Sequence, residues 1–487
     1  METPSPQFIS SYRQLPQALF QPFTLLPVAA PKMIIGNTAL AERMGLSPNW
    51  LLSEEALQSL AGNKPLANVS PIALAYAGHQ FGHFMPSLGD GRAALIGEIE
   101  LPGGSRRDIH LKGSGRTAFS RGGDGRATLG PMLREYIVSE AMAALGIPTT
   151  RSLAVVATGE TVWREQPEQG AILTRVAKSH VRVGTFQYLA VRGDVEALRA
   201  LVDFESARNF PGAPEGSERF IWFFTAVVAR QANLIAQWMN VGFIHGVMNT
   251  DNMSVVGETI DYGPCAFMDG FDPQKTFSSI DEYGRYAWDK QPAIALWNLT
   301  RLAEALLPLF HTETETAIAM AEAELKKFMP AFELAFESGM AAKLGFAKPT
   351  ESISTFIAIT LQNLANTQAD FTLFFSTLTD VADGKEPQIL VPFFQSQRAC
   401  TEWLALWQSE RDKYGTDLKS MRAANAVFIA RNHRIEQVIT AANAGDLQPL
   451  HRLLNVLTKP FEKQPENAQY ALPPLPTEIV YRTFCGT

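Results

Sequence analysis

Residues 244–263, IHGVMNTDNMSVVGETIDYG, decide how this chain is read. His245 is followed seven positions later by Asn252, and Asp261 opens a DYG triplet nine residues after that. An amide oxygen and a carboxylate oxygen suit Mg²⁺ or Mn²⁺, hard cations that complete their shells with water and phosphate oxygens. The strand-like MSVVGETI between them predicts a hairpin that presents both ligands side by side. Asp251, next to Asn252, is the nearby carboxylate able to accept a proton from an attacking hydroxyl.

Upstream, Lys112 closes RRDIHLKG, where Ile109 and Leu111 alternate with His110 and Lys112 in the period of a half-buried strand. Glu135 lies 23 residues on, inside PMLREYIVSEAMAALG, a helical stretch with Pro131 near its start and Gly146 at its end. A strand lysine held by a helix glutamate, followed by His-x₆-Asn and then Asp-x-Gly, follows the order of parts in protein kinases. The position two after His245, where a kinase has its catalytic Asp, is Val247. Either the chain is catalytically silent or it runs a rearranged chemistry.

Phosphate-binding residue types are in excess. Gly78 to Gly130 holds 13 of the 35 glycines, and Met85 to Thr185 carries 13 Lys and Arg against 10 Asp and Glu in a chain of net charge −7. SLGDGRAALIG supplies Gly89, Gly91 and Arg92, and LKGSGRTAFSRGGDGRA supplies Arg116, Arg121, Gly122, Gly123, Asp124, Gly125 and Arg126. Arg175 and Arg182 follow in LTRVAKSHVRVGTFQ. Glycines let backbone N–H groups approach an anion, and guanidinium groups grip phosphate oxygens in pairs. No Walker A or Rossmann fingerprint is present. His79 and His83, four apart in YAGHQFGHF, are placed to share a helix face, but Gln80 rules out HExxH and we read them as structural.

The whole chain has 487 residues, 46% hydrophobic and 19% charged, which fits a large globular core of two or three units. The acidic balance argues against a nucleic-acid binder. No uninterrupted apolar run approaches membrane-spanning length, and the N-terminus lacks a signal-peptide pattern. Cys265, Cys400 and Cys485 are too few for a disulfide framework, so a cytoplasmic setting is expected. Two further strand-like runs, TTRSLAVVAT and GAILTRVAK, precede a long buried helix ending at Gly242 and a mostly helical remainder. We expect an α+β, protein-kinase-like bilobal fold. Its parts would be an N-terminal extension (1–70), a glycine-rich β lobe (71–185), a helical lobe (186–463) carrying the metal and catalytic loop (243–263), and a tail (464–487) with Cys485.

Taken together, AYAGHQFGHF, LGDGRA, HLKGSGRT, SRGGDGRA, LREYIVSEAMAALGIPTTRSLAVV, LTRVAKSHVRVGTFQ and GFIHGVMNTDNMS with TIDYGP resemble the selenoprotein O family of protein adenylyltransferases, and the terminal FCGT matches its tail. The resemblance implies that ATP binds flipped relative to ordinary kinases, with the γ-phosphate buried and the α-phosphate facing the acceptor. It implies that Lys112, positioned by Glu135, holds phosphates with Arg175 and Arg182. Gly89, Gly91, Arg92, Asp124, Gly125 and Asp261 complete the nucleotide site, Asn252 and Asp261 bind Mg²⁺ or Mn²⁺, and Asp251 is the catalytic base. AMP would pass to Ser, Thr or Tyr hydroxyls of protein substrates, redox proteins among them, and of the chain itself. Similarity of some members to uridylyl transferases keeps UTP open. Phosphoryl transfer with Asp251 as base and a silent nucleotide-binding module also remain as alternatives. The family's tail cysteine, here Cys485, pairs in some bacterial members with a cysteine of the activation-loop region. The matching stretch here, DPQKTFSSIDEYGRYAWD, has no cysteine, and Cys265 is the nearest.

Overall fold

The computed structural model describes residues 6–484. Twelve strands occur among them: β1 (Phe20–Pro22), β2 (Lys32–Gly36), β3 (Ile72–Leu74), β4 (Gly78–Gln80), β5 (His83–Met85), β6 (Ala93–Glu100), β7 (Arg106–Lys112), β8 (Ala127–Thr128), β9 (Arg151–Trp163), β10 (Pro167–Ala177), β11 (Phe243–Ile244) and β12 (Ala266–Phe267). One antiparallel sheet runs in the order β1-β3-β6-β7-β10-β9-β2, with β8 on β10. The molecule is therefore a mixed α/β fold, an antiparallel sheet joined to a large helical body.

Alternation along β7 sets the two faces of the sheet. Ile109 and Leu111 point into a core closed by α1 (Thr38–Arg43), α2 (Pro48–Leu51) and α3 (Glu54–Leu60), through Leu40, Trp50 and Leu60. Asp108, His110 and Lys112 take the opposite face. The Pro-punctuated stretch expected as an extension thus supplies both edge strands β1 and β2 and the apolar cover of that outer face. A sheet with two apolar faces must be covered on both, and these are the nearest apolar residues in the chain.

On the inner face lies α4 (Leu129–Ala144), packed on β9 and β10 and backed by the helix Asn432–Asn443. Being enclosed from both sides, it is buried almost all round, Glu135 included. Arg134 ties it to the far end of the chain, donating to Asn432 Oδ1 at 2.9 Å and to the Cys265 carbonyl at 3.3 Å. Beyond β10 come α5 (Val183–Ala190), α6 (Val195–Asn209), α7 (Glu218–Asn240) and α8 (Gln291–Phe310), followed by further helices to Leu457.

Helix Trp288–Phe310 is the one among the described residues long and apolar enough to cross a membrane. Half of that span is buried inside the fold, where Ala295, Leu299, Leu302 and Leu306 join the core beside α5 and α7.

Two local expectations change. MSVVGETI does not form a hairpin; the ladder instead joins β11 to β12, and the stretch makes only single bridges, Ser254 to Arg182 and Thr259 to Thr149. Its backbone is drawn across to the sheet side of the cleft, which leaves no neighbouring strand of its own to pair with. His79 and His83 lie on the hairpin β4/β5 rather than on a helix, because Phe81 and Gly82 turn the chain with positive φ. His79 packs on Phe84 and Trp297 and meets Gln187 Nε2 at 2.8 Å, a structural placement.

Candidate active site

Between the inner face of the sheet and the loop 245–263 opens a cleft of about 830 Å³. Of the residues singled out above, Gly89, Gly91, Arg92, Lys112, Asp124, Gly125, Arg175, Arg182, Asp251, Asn252 and Asp261 line it, and Gly122 does not. Glu135 stands directly behind. Arg121, Gly123 and Arg126 also reach the cleft, whereas Arg116 is exposed and does not.

The floor is an ion-pair lattice. Lys112 Nζ lies 2.6 Å from Glu135 Oε2 and 2.8 Å from Asp261 Oδ1. Arg175 Nη2 lies 2.6 Å from Glu135 Oε1 and 2.5 Å from the same Asp261 oxygen. Arg182 Nη1 is 3.8 Å from Asp261 Oδ2, its guanidinium sits 4.5 Å over the Tyr76 ring, and it donates to the Asp251 carbonyl at 3.2 Å. Arg175, Glu135 and Arg182 are each 3% exposed or less, so these charges are tolerable only as a mutually compensated set. Burial pushes the Asp261 carboxyl up, but Arg175, Lys112 and Arg182 hold it well below the usual range. Glu135 is likewise held low, Arg175 and Lys112 outweighing its burial. Both are therefore carboxylates, and burial's pull on Arg175 and Arg182 is outweighed by acidic neighbours, so both remain cations.

Asp261 adopts φ +64°, the left-handed region that Asp enters more readily than most side chains. His245 braces this turn: its Nε2 meets the Ile260 carbonyl at 2.8 Å, its Nδ1 faces the Val247 N–H at 3.4 Å, and its ring stacks on Trp238. From α8, Gln291 receives the His245 N–H at 3.1 Å and donates to the Phe243 carbonyl, while Asn298 donates to the Met248 carbonyl at 2.9 Å.

Thr250–Asn252 forms one 3₁₀ turn. Asn252 Nδ2 donates to the Val247 carbonyl at 3.1 Å, which leaves its oxygen as the free end of the amide. Asp261 Oδ2 is likewise less engaged than Oδ1, so two hard oxygen donors remain. No group of three or more His, Cys, Asp and Glu placed to hold a metal occurs among the described residues. A two-donor set of this kind fits a cation whose remaining ligands are phosphate and water.

Asp251 differs from its neighbours. Burial pushes its carboxyl up to about 6, against the pull of Arg182, and its Oδ1 is buried without a hydrogen-bond partner. The hairpin β4/β5 leans on this turn, His79 N–H donating to Thr250 Oγ1 at 2.7 Å and Phe81 N–H to Asn249 Oδ1 at 3.0 Å. Val247, two residues after His245, also lines the cleft.

The glycine-rich segment 113–126 folds over the opposite wall. At Gly125 φ is +70° and an added Cβ would lie 2.2 Å from the Gly115 carbonyl carbon, so only glycine closes this turn. Arg164, from the connection between β9 and β10, clamps Asp124 at 2.8 and 3.1 Å and the Arg126 carbonyl at 2.9 Å. Arg164, Tyr76, Asp90 and His110 line the cleft and were not singled out from the sequence. His110 was legible, because the period-2 pattern that put Lys112 on the inner face puts His110 there too; Arg164, an isolated arginine 40 residues from its partner, left no such signal.

The match to the family model described as protein adenylyltransferase SelO covers residues 5–458. The chain belongs to the SelO family. Relatives named protein nucleotidyltransferase YdiU include one from Rhodopseudomonas palustris strain BisB5, 53% identical over 486 residues, and one from Bradyrhizobium sp. strain ORS 278, 53% identical over 485; each comparison covers 99% of both chains. A third, from Nitrobacter hamburgensis, is 51% identical over 99% of this chain and 96% of its own. Within this SelO family chain, the tail is stitched beside the cleft: Thr483 N–H donates to the Phe277 carbonyl at 2.7 Å, and Ser279 N–H to the Thr483 carbonyl at 3.0 Å. Cys485 lies outside the described residues, and Cys265 is fully buried.

Proposed function

We propose that this SelO family member transfers AMP from ATP to Ser, Thr or Tyr hydroxyls of proteins, on a bilobal, kinase-like frame. The observation that carries the reading is the convergence, in one cleft, of three compensated cations, two hard oxygen donors and one buried carboxylate with an unpartnered oxygen. On this reading Lys112, Arg175 and Arg182 bind the terminal phosphates, Glu135 holds the first two in place, and Gly89, Gly91, Arg92, Asp124 and Gly125 enclose the rest of the nucleotide. Asn252 and Asp261 hold Mg²⁺ or Mn²⁺, which when bound would neutralise charge developing on the phosphates.

The acceptor oxygen attacks the α-phosphorus, the bond from that phosphorus to the bridging oxygen of the β-phosphate breaks, and pyrophosphate leaves with its charge. The hydroxyl proton goes to Asp251. Guanidinium groups fixed in a buried floor suit a departing pyrophosphate, since they need no reorganisation when charge appears. Val247 in the kinase base position then removes nothing this chemistry needs.

The cytoplasmic setting and the division into an N-terminal part, a β lobe, a helical lobe and a tail belong to the same reading. So do protein acceptors that include this chain.

The test is parallel incubation with α- or γ-labelled ATP and Mg²⁺ or Mn²⁺, using wild type and Asp261→Ala. Label entering protein only from the α position, and lost in the variant and on chelation, is the expected outcome. Label from γ would make the protein a phosphotransferase, and none from either would leave a silent nucleotide-binding module. A parallel reaction with labelled UTP decides the nucleobase.

A further inference from the structure

Beneath the cationic floor runs a second set of buried polar side chains that the reaction above does not use. Along β7, His110 shares the inner face with Lys112, and the β7/β10 register sets Arg175 directly opposite it. His110 is completely buried, with Nε2 2.9 Å from Asp90 Oδ2. The same Asp90 oxygen accepts the Leu74 N–H at 3.1 Å, and the other faces Arg182 Nη2 at 4.0 Å. The Asp90 carbonyl accepts Thr117 Oγ1 at 2.6 Å, at the base of the glycine-rich segment. Asp90 therefore joins strand β3, strand β7, the loop over the cleft and one of the three floor cations.

His110 in turn is held flat. Its ring stacks on that of His180 with centroids 4.3 Å apart and planes 24° apart. His180 is fixed by Asp108, whose Oδ2 takes both its backbone N–H at 3.0 Å and its Nδ1 at 3.1 Å. Burial and the neighbouring His110 push His180 down to about 3, so it stays a neutral wall. Arg182 follows His180 by two residues, and its guanidinium is bounded by the Tyr76 ring, the Asp251 carbonyl, Asp261 and Asp90.

We infer that Asp90 and His110 form a positioning pair: His110 fixes the Asp90 carboxylate, and Asp90 aims Arg182 and anchors the glycine-rich segment through Thr117. The inference rests on the reading of Arg182 as a phosphate-binding group. Neither residue is required to touch the reacting atoms. A carboxylate accepting from two fixed donors has one orientation, and a guanidinium set against it loses less freedom on meeting a phosphate.

The experiment is a double-mutant cycle on the full chain, read by titration with a non-hydrolysable ATP analogue, with α-label transfer followed in parallel. His110→Phe keeps a flat ring and removes the donor. His110→Gln places an amide nitrogen near the lost Nε2. Expected results are a dissociation constant raised about tenfold in His110→Phe and restored to within about threefold in His110→Gln. Combined with Arg182→Ala, His110→Phe should add almost nothing to the loss seen for Arg182→Ala alone. Additive losses, or analogue binding by His110→Phe equal to wild type, would overturn the inference and make the pair a packing element. If His110→Phe does not fold, Asp90→Asn, which keeps the shape and removes the charge, takes its place in the same cycle: a non-additive loss with Arg182→Ala supports the pair, and an additive loss or none overturns it. Absence of α-label transfer in the wild type would instead sink the adenylyl reading and leave the binding cycle interpretable.

Discussion

Replacing Gly78 by Ala tests whether the position of Asp251 limits the reaction. A Cβ at residue 78 would lie 2.6 Å from Asp251 Oδ1 and 2.9 Å from Leu88 Cδ1, where ordinary contact begins at 3.4 Å. The carboxylate must therefore retreat by about 0.8 Å, because Gly78 itself is held in the β4/β5 ladder opposite Met85. A misplacement of about 1 Å in a reacting group costs on the order of 100-fold in rate, so kcat should fall roughly 10- to 100-fold. Lys112, Arg175 and Arg182 do not bear on Gly78, and nucleotide affinity should stay within about threefold. Overpacking of this kind costs about 1–3 kcal/mol of stability, so the variant should still fold. The assay is α-label transfer at saturating ATP, with affinity by titration and folding by thermal melt. A folded Gly78→Ala enzyme with kcat within about twofold of wild type would refute Asp251 as the proton acceptor. Equal losses in kcat and in affinity would show that the strain passes through the Asp251 carbonyl to Arg182 instead.

Two further outcomes are expected. Arg164→Ala, which frees Asp124 and the Arg126 carbonyl, should weaken nucleotide binding roughly five- to tenfold in a titration, with Arg164→Lys recovering only part because the two-pronged grip is lost; the melting temperature should barely move, since the pair is partly exposed. Lys343 is buried with its Nζ donating to the Ala424 carbonyl at 3.2 Å and no carboxylate among its bonded partners, and burial pushes it down to about 7. Its unfolded value is about 10.4, so the unfolded chain holds the extra proton between the two values and stability should rise with pH across that window. Lys343→Met should be the more stable form in urea titrations at pH 7, by about 1–3 kcal/mol after loss of the contact with Phe375, and the gap should close towards pH 10. A gap that does not change with pH would mean that Lys343 holds its proton as tightly in the fold as in the unfolded chain, and that burial does not push it down.

The parts of the site that sequence revealed are those where chemistry is local. Asn252 and Asp261 sit at a short spacing, Lys112 closes a period-2 strand, and the glycines cluster, so all of them could be found without knowing what they face. The hairpin expected from MSVVGETI failed because β-branched residues signal extended chain but not its partner, and here the bridge partners are Arg182 and Thr149, distant in sequence. The role of residues 20–60 in closing the sheet was hidden in the same way: Leu40, Trp50 and Leu60 are ordinary helix residues until the outer face of β7 is in view. Asp90, Arg164 and Gln291 were missed because each works through a backbone carbonyl, an amide or a carboxylate tens of residues away.

The charges of the floor explain why so many acids stand in a site meant for phosphate. Lys112, Arg175 and Arg182 are balanced by Glu135, Asp261 and Asp90, one negative charge for each positive. Without those acids the three buried cations would repel one another, so that Lys112 would give up its proton or the two arginines would swing out to water. With them, the floor is assembled before any nucleotide arrives. The balance is not rigid, however, because one oxygen of Asp261 serves both Lys112 and Arg175 while the other is only loosely met by Arg182. A divalent cation drawing on Asp261 competes with those donors for the same carboxylate, so metal and nucleotide binding should each strengthen the other. Glu135 has no such alternative duty: it holds Lys112 and Arg175 from the side away from the cleft, fixed on a helix enclosed by β9, β10 and the helix Asn432–Asn443. The acid that must stay is buried behind the floor, and the acid that must share its charge faces the cleft.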